Sequence, residues 1–278
     1  FKFLFMTINC KGQLIDLSTP QVMGILNVTP DSFYDGGKYK NESELLSQIY
    51  VMLKDGARFI DIGAYSSRPN AEHVSETEEL KRILPIIELT LKEFPDVLIS
   101  VDTFRSAVAK HAINSGAALI NDISAGLLDQ DMLKTIPQLQ VPYIMMHMRG
   151  TPQTMQQHTS YDDLVKDILF YFSERITAAR ALGVIDIIAD PGFGFAKATE
   201  QNFELLNKLD VFKMLELPLL AGVSRKSMIY KILNNTPKEA LNGTTVLNTV
   251  ALQKGATILR VHDVKEAMEC IKLTNLLH

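Results

Sequence analysis

Short apolar runs recur along this chain, and each stops abruptly at polar residues. The first, Val22-Met23-Gly24-Ile25-Leu26, runs into Asn27-Val28-Thr29-Pro30-Asp31-Ser32-Phe33-Tyr34-Asp35 and the pair Gly36-Gly37. A short apolar run bounded by turn residues predicts a buried strand. Polar groups at the tip of such a strand lose solvation unless something binds them. The same pattern returns at 58–63, 97–102, 118–122, 141–147, 185–190, 219–224 and 256–261.

Helical patterns fill the gaps. They are predicted at 43–55, at 75–93 behind the capping sequence Ser75-Glu76-Thr77-Glu78, at 104–115 and at 161–182, with a last helix closing at Ile271. In 161–182 the apolar residues Leu164, Ile168, Phe172, Ile176 and Ala179 return at three- and four-residue intervals. Alternation in Phe1-Lys2-Phe3-Leu4-Phe5-Met6, the Lys11-Gly12 turn and Gln13-Leu14-Ile15-Asp16-Leu17 predict a short hairpin, suited to plugging the floor of a barrel. Eight strands alternating with helices over about 250 residues predict an α/β chain, a (β/α)8 TIM barrel with a short N-terminal β-hairpin. A doubly wound open sheet is the competing architecture, and the lack of a G-x-G-x-x-G fingerprint counts mildly against it.

Composition narrows the picture. The 278 residues are 46% hydrophobic and 22% charged, with a net charge of −4. No low-complexity segment or linker interrupts them, so a single domain spanning 1–278 is expected. A chain of this length buries a core without staples. The absence of a basic run argues against a nucleic-acid partner. No apolar run approaches the ~20 residues that span a bilayer, which argues against a membrane partner. The two cysteines, Cys10 and Cys270, form no metal-ligand spacing, and a reducing, cytoplasmic setting is expected.

The chemistry gathers at the strand ends, where barrels place their ligand sites. In order these are Asn27, Asp61 leading to Ser66-Ser67-Arg68-Pro69, Asp102, Asn121-Asp122, His147, Asp190, Ser224-Arg225-Lys226 and Arg260-Val261-His262-Asp263. Asn27, Arg68, Arg260 and His262 suit an anion, since arginine offers a planar fork of donors to phosphate oxygens. Asn27 brings no charge, but its amide oxygen is a hard ligand suited to Mg2+. Asp102, Asn121, Asp190 and Lys226 suit a neutral heterocycle with adjacent donors and acceptors. Bland readings stand beside these. Asp122 and Asp263 fit capping residues, His147 fits a hydrogen-bonded core histidine as well as a catalytic one, and Asp61 fits either a pair with Arg58 or a place on the barrel rim.

The residues also resemble a known family. The sequence Gly24-Ile25-Leu26-Asn27-Val28-Thr29-Pro30-Asp31-Ser32-Phe33 with Asp35-Gly36-Gly37 resembles the first signature of the dihydropteroate synthases, and Asp61-Ile62-Gly63 through Ser67-Arg68-Pro69 the second. The likeness continues, one motif per strand end, through Ser100-Val101-Asp102-Thr103, Ile120-Asn121-Asp122, Met146-His147-Met148, Asp190-Pro191-Gly192-Phe193-Gly194-Phe195, Gly222-Val223-Ser224-Arg225-Lys226-Ser227 and Arg260-Val261-His262-Asp263. It departs locally. Ala64-Tyr65 stands where Gly-Glu is common, Ser67 where Thr is usual, and Asn70 and Ala196 where Gly is frequent.

The resemblance implies a transferase of folate biosynthesis and a sulfonamide target. Such an enzyme condenses a 6-hydroxymethyl-7,8-dihydropterin pyrophosphate with 4-aminobenzoate, with Mg2+ on the pyrophosphate, usually as a homodimer. It implies a pterin site of Asp102, Asn121, Met145 or Met146, Asp190, Phe195, Lys226 and Arg260, and a pyrophosphate site of Asn27, Arg68, Arg260 and His262. It further implies aminobenzoate contacts from Phe33, Ser67, Pro69, Phe195, Ser224 and Lys226. Asp35 joins Asp102, Asp190, Lys226, Arg260 and His262 as catalytic. Two rival functions remain at this level. A pterin-binding methyltransferase would share the Asp/Asn pocket but has no pyrophosphate for Arg68, Arg260 and His262. A non-catalytic pterin-binding homologue would bind the pterin pyrophosphate without turnover.

Overall fold

In a computed structural model, described here for residues 6–28, 38–65 and 74–277, ten strands and nine α-helices follow one another in chain order. The hairpin strands β1 (Thr7–Cys10) and β2 (Gln13–Asp16) pair antiparallel around the Lys11-Gly12 turn. The other eight strands are parallel. They are β3 (Gln21–Asn27), β4 (Phe59–Gly63), β5 (Leu98–Asp102), β6 (Leu119–Asp122), β7 (Tyr143–Met146), β8 (Ile187–Asp190), β9 (Leu220–Ala221) and β10 (Ile258–Val261). Their order is β8-β7-β6-β5-β4-β3-β10-β9, and a parallel bridge between Ala189 and Leu219 joins the two ends into a closed barrel.

Every expected strand falls within its predicted range or one residue before it, and most are shorter. The hairpin's first strand lies just past the alternating segment, at Thr7–Cys10, and residues 1–5 are outside the described part. The helices are α1 (Lys38–Lys54), α2 (Glu76–Glu93), α3 (Ser106–Asn114), α4 (Met132–Leu139), α5 (Leu164–Ala181), α6 (Thr199–Asn207), α7 (Ser227–Tyr230), α8 (Leu241–Gln253) and α9 (Val264–Thr274). Ser75 caps α2 by accepting the backbone N–H of Glu78 at 3.2 Å. Asp163 caps α5 through Lys166 at 3.1 Å, which starts that helix three residues later than the periodicity alone suggests.

Strand alternation sorts side chains into two cores. One side of each strand meets the helices in a large outer core. The other side faces the barrel axis, where Met23, Phe59, Leu98, Leu119, Ile144, Ile188, Leu220 and Ile258 form the plug. Ile8, Cys10, Ile15 and Leu17 from the hairpin pack onto the same cluster, so the hairpin closes the floor. Burial pushes the Cys10 thiol up to about 12, the mark of a structural cysteine. With the floor sealed by apolar side chains, polar inward positions remain only toward the C-terminal ends of the strands.

Candidate active site

Asp61 stands in the middle of β4, fully buried, with its side chain toward the barrel axis. Neighbouring strands bring its partners. Arg260 from β10 donates Nε to Asp61 Oδ2 at 2.6 Å and Nη2 to Asp102 Oδ2 at 3.0 Å. Asn121 from β6 donates its amide to the same Asp61 oxygen at 3.1 Å. One guanidinium therefore ties β4, β5 and β10 together across the mouth. Gly63 leaves room for this, because a Cβ there would lie 3.3 Å from the Asp102 Cβ. Arg58, the alternative partner for Asp61, instead reaches Gln13 at 3.4 Å, on the hairpin side.

Arg260 and Asp102 keep 19% and 16% of their side chains open to solvent, which marks the entrance to the cleft. Asp102 is nonetheless pushed up to about 7. Desolvation is the main cause, Arg260 opposes it, and Asp61, Glu79 and Asp122 add repulsion. Arg260 is raised above its ordinary value despite burial, because Asp61, Asp102 and Asp190 favour its charge.

The second half of the mouth is built by β8 and the segment after β9. Asp190 is raised by desolvation, against the opposing influence of Lys226 and a 2.8 Å hydrogen bond from the Gly192 backbone N–H. Lys226 is lowered to about 8 by desolvation, with Asp190 and Asp102 opposing and Arg260 assisting. Its ammonium donates to the Phe193 carbonyl and lies 4.9 Å from the centre of the Phe195 ring. Arg225, in a left-handed conformation at φ 54°, presents Lys226 at the start of α7. A two-pronged ion pair to Asp263, at 2.6 and 2.8 Å, holds that turn. Asp263 thus pairs with Arg225 instead of capping α9 with its side chain. Asp122 is structural but, contrary to the capping expectation, caps no helix: at the end of β6 it accepts from the Ser124 and Gly126 backbones and from the Tyr143 hydroxyl, closing the turn that follows, and α4 begins ten residues later at Met132.

Ser224 and His262 meet at the rim. The Ser224 hydroxyl lies 3.0 Å from His262 Nδ1 and accepts the His262 backbone N–H at 3.1 Å. Asn27 is exposed at the end of β3. His147 is buried and shares a 3.0 Å contact with Lys197, as a core histidine would.

One expectation is corrected by strand register. Met145 pairs with Asp122 and Ala189, and all three face the helices, with Met145 in the outer core. Met146 pairs with Asp190 and shares its inward side. Met146 is therefore the methionine beside Asp190. Phe33, Asp35, Ser67, Arg68 and Pro69 lie outside the described residues. Asp61 is the residue whose place in the site sequence reading left undecided. Its signal was a carboxylate flanked by Phe59, Ile60 and Ile62 at a position that alternation turns inward.

A (β/α)8 barrel whose mouth sets carboxylates against arginine and lysine in a water-poor cleft defines a class: an enzyme for a small polar ligand with ring donors and a charged group. Comparison with known proteins sharpens the class. Residues 23–262 match the family of pterin-binding enzymes. The dihydropteroate synthase of Haemophilus influenzae is 42% identical, covering 96% of this chain and 98% of its own length. The crystal structure of Yersinia pestis dihydropteroate synthase with a sulfonamide drug complex superposes with a TM-score of 0.91 at 43% identity, covering 98% of this chain and 99% of that one. The Xanthomonas albilineans dihydropteroate synthase solved with 4-aminobenzoic acid gives 0.90 at 36% identity, covering 98% of this chain and 97% of that one. The chain belongs to the dihydropteroate synthase family of pterin-binding enzymes.

Proposed function

We infer that this protein condenses 6-hydroxymethyl-7,8-dihydropterin pyrophosphate with 4-aminobenzoate, giving 7,8-dihydropteroate and pyrophosphate for folate synthesis. The observation that carries the reading is the spanning of Asp61 and Asp102 by Arg260, with Asp190 and Lys226 on the other half of the mouth. A pterin ring presents an amino group and ring N–H donors to carboxylates and accepts from lysine at its carbonyl. Asp102, Asn121, Asp190 and Lys226 supply that set, with the Met146 side chain beside Asp190 as an apolar wall and Arg260 over the ring face. His262 and Arg260, with Arg68, take the diphosphate.

The C–O bond from the pterin methylene to the diphosphate breaks first, and the bonding electrons leave with pyrophosphate. Arg260 and His262 neutralise the charge that develops there. Asp102 and Asp190 set negative charge near the methylene carbon, where positive charge accumulates. The aryl amine, already neutral at pH 7, then forms the C–N bond, and the proton it sheds passes to the released pyrophosphate. Phe195 and Lys226 orient the amine's ring; further aminobenzoate contacts from Phe33, Ser67 and Pro69, and charge from Asp35, are what the family resemblance implies. Positioning and electrostatics carry most of the barrier reduction.

A metal fits this site in one way only. Among the described residues no three His, Cys, Asp or Glu side chains are grouped to cage an ion. Mg2+ keeps several waters and takes one or two protein oxygens beside substrate phosphates. The Asn27 amide at the tip of β3 offers one such oxygen, so the donor set fits a Mg2+ that arrives with the diphosphate. When bound, it would neutralise leaving-group charge.

Sulfonamides, as aryl amines of similar shape, would compete for the aminobenzoate side. A homodimer is proposed through α8 and α9, where Leu241, Thr245, Cys270, Leu273 and Leu277 line an open groove and Val246, Leu273, Leu276 and Leu277 are exposed. Cys10 and Cys270 are both free and buried, which supports a reducing, cytoplasmic setting.

The test is pyrophosphate release by the purified chain with the pterin pyrophosphate and Mg2+, with and without 4-aminobenzoate, beside Asp190→Asn and Arg260→Ala. Aminobenzoate-dependent release that collapses in both variants is the expected result. Binding of the pterin without any turnover would replace the enzyme reading with a binding role.

A further inference from the structure

Two lysines grip the loop after β8: the buried Lys197 holds the carbonyls of Gly192 and Phe195, and the half-buried Lys226 holds the Phe193 carbonyl between them. Only Lys226 has been given a part in the chemistry. Lys197 is 3% exposed. Its Nζ donates to the Gly192 carbonyl at 2.9 Å and the Phe195 carbonyl at 3.0 Å, and lies 3.0 Å from His147 Nδ1. No carboxylate touches it among the described residues. A side chain so fully withdrawn from water is stable only if its polar atoms are matched. Here three polar atoms surround the nitrogen: two loop carbonyls that accept from it, and His147 Nδ1 just past the end of β7.

The loop itself is shaped for this contact. Gly192, Gly194 and Ala196 take φ values of 73°, 82° and 49°, an alternation that turns successive carbonyls to different sides. A Cβ on Gly192 would sit 2.2 Å from the His147 carbonyl oxygen, so the loop backbone lies directly on β7. The Gly194 backbone N–H is held by Asn202 at 2.6 Å, and the Ala196 carbonyl by the Tyr161 hydroxyl at 2.8 Å. Between these points the chain offers Lys226 its two contacts: the Phe193 carbonyl and the Phe195 ring.

We propose that Lys197 is a positioning residue for Lys226: by fixing the Gly192 and Phe195 carbonyls against His147, it sets the Phe193 carbonyl and Phe195 ring where they hold the Lys226 ammonium. Resting on the condensation reading, this places Lys197 behind the wall of the substrate site, acting on pterin binding and aryl-amine placement only through Lys226 and Phe195. Both contacts favour the charged form of Lys226. The charged groups facing Lys226 are Asp190 from β8, Arg260 from β10 and Asp102 from β5. Those facing Lys197 are Asp190, Lys226 and Arg149, with His147 in contact.

The test is Lys197→Met, with Lys197→Gln as the variant that keeps two N–H donors. The pH midpoint of Lys226 is measured on substrate-free protein by competitive acetylation and peptide mass spectrometry, beside the pH profile of pyrophosphate release. In Lys197→Met the Lys226 midpoint is expected to move to lower pH, because its carbonyl and ring partners are loosened. The value of kcat/KM is expected to fall about tenfold or more, the scale on which displaced positioning groups act. Lys197→Gln is expected to lie between wild type and Lys197→Met, and serves alone if the methionine variant does not fold. A midpoint that moves to higher pH would mean that only a nearby charge had been removed, and an unmoved midpoint would mean a purely structural lysine; either overturns the proposal. The acetylation midpoint needs no turnover, so it separates failure of this inference from failure of the condensation reading.

Discussion

The Arg260 guanidinium is held 2.6 Å from the Asp61 carboxylate, a residue with no exposed surface whose Oδ1 has no hydrogen-bond partner among the described residues. The pair joins positions 199 residues apart in sequence. A buried carboxylate with one oxygen unsatisfied depends on its cation more than an ordinary ion pair does. Arg260→Ala is expected to lower unfolding free energy by about 3 kcal/mol, as removal of one partner of a buried pair does. Arg260→Lys is expected to recover part of that stability but not activity, since a point charge cannot reach both Asp61 and Asp102. Urea unfolding beside pyrophosphate release checks both. Equal stability of Arg260→Ala and wild type would remove the structural half of this account.

The pH profile of kcat/KM reports groups of the free enzyme. Asp102 accepts from the pterin when ionised, and it is pushed up to about 7, so activity should rise as pH rises through that value. Lys226 donates when protonated, and it is lowered to about 8, so activity should fall beyond it. A narrow maximum between these values is expected. Asp102→Asn should remove the acidic limb from the remaining activity and leave the basic one. A flat profile across both values would show that neither group titrates in the working range.

The same raised carboxylate sets a trend in stability. The folded state holds the Asp102 proton more tightly than the unfolded state, so its contribution is fully present below the ordinary carboxylate value near 3.8 and is lost as pH rises through about 7. Between those values the Asp102 contribution to wild-type unfolding free energy should therefore fall with pH, by at most about 1.4 kcal/mol per pH unit. Comparing denaturant midpoints of wild type and Asp102→Asn across that window isolates the effect. The asparagine variant should show the shallower fall.

Much of this was legible in the chain because burial period and polar tips are local signals. The runs ending in Asp102, Asn121, Asp190 and Arg260 marked strands and their functional ends together, and those residues meet at one mouth. Asp61 was less legible because its partner is contributed by the last strand of the barrel, and no local pattern tells Arg260 from Arg58 as the cation. Lys197 was silent for a similar reason. A lysine after a glycine-rich loop reads as solvated until the fold folds it under His147. Helix α4 was missed because it has only eight residues and carries Pro137 inside it.

Met145 and Met146 show what a single residue of register decides. In a strand, neighbours point to opposite faces. Met145 lies in the outer core with no exposed surface, whereas Met146 pairs with Asp190 and packs with Ile123, Met148 and Ala196, with Phe195 against the same cluster. Met145→Ala should therefore cost about 2–5 kcal/mol of stability through the cavity it leaves, while the enzyme that remains folded keeps its KM for the pterin pyrophosphate. Met146→Ala should raise that KM several-fold, because it removes a side chain from Asp190's side of the strand. Parallel urea melts and initial-rate kinetics on the two variants separate the roles. The reverse pattern, with Met145→Ala raising KM and Met146→Ala leaving it unchanged, would mean that the pterin does not lie on the inward face that carries Asp190.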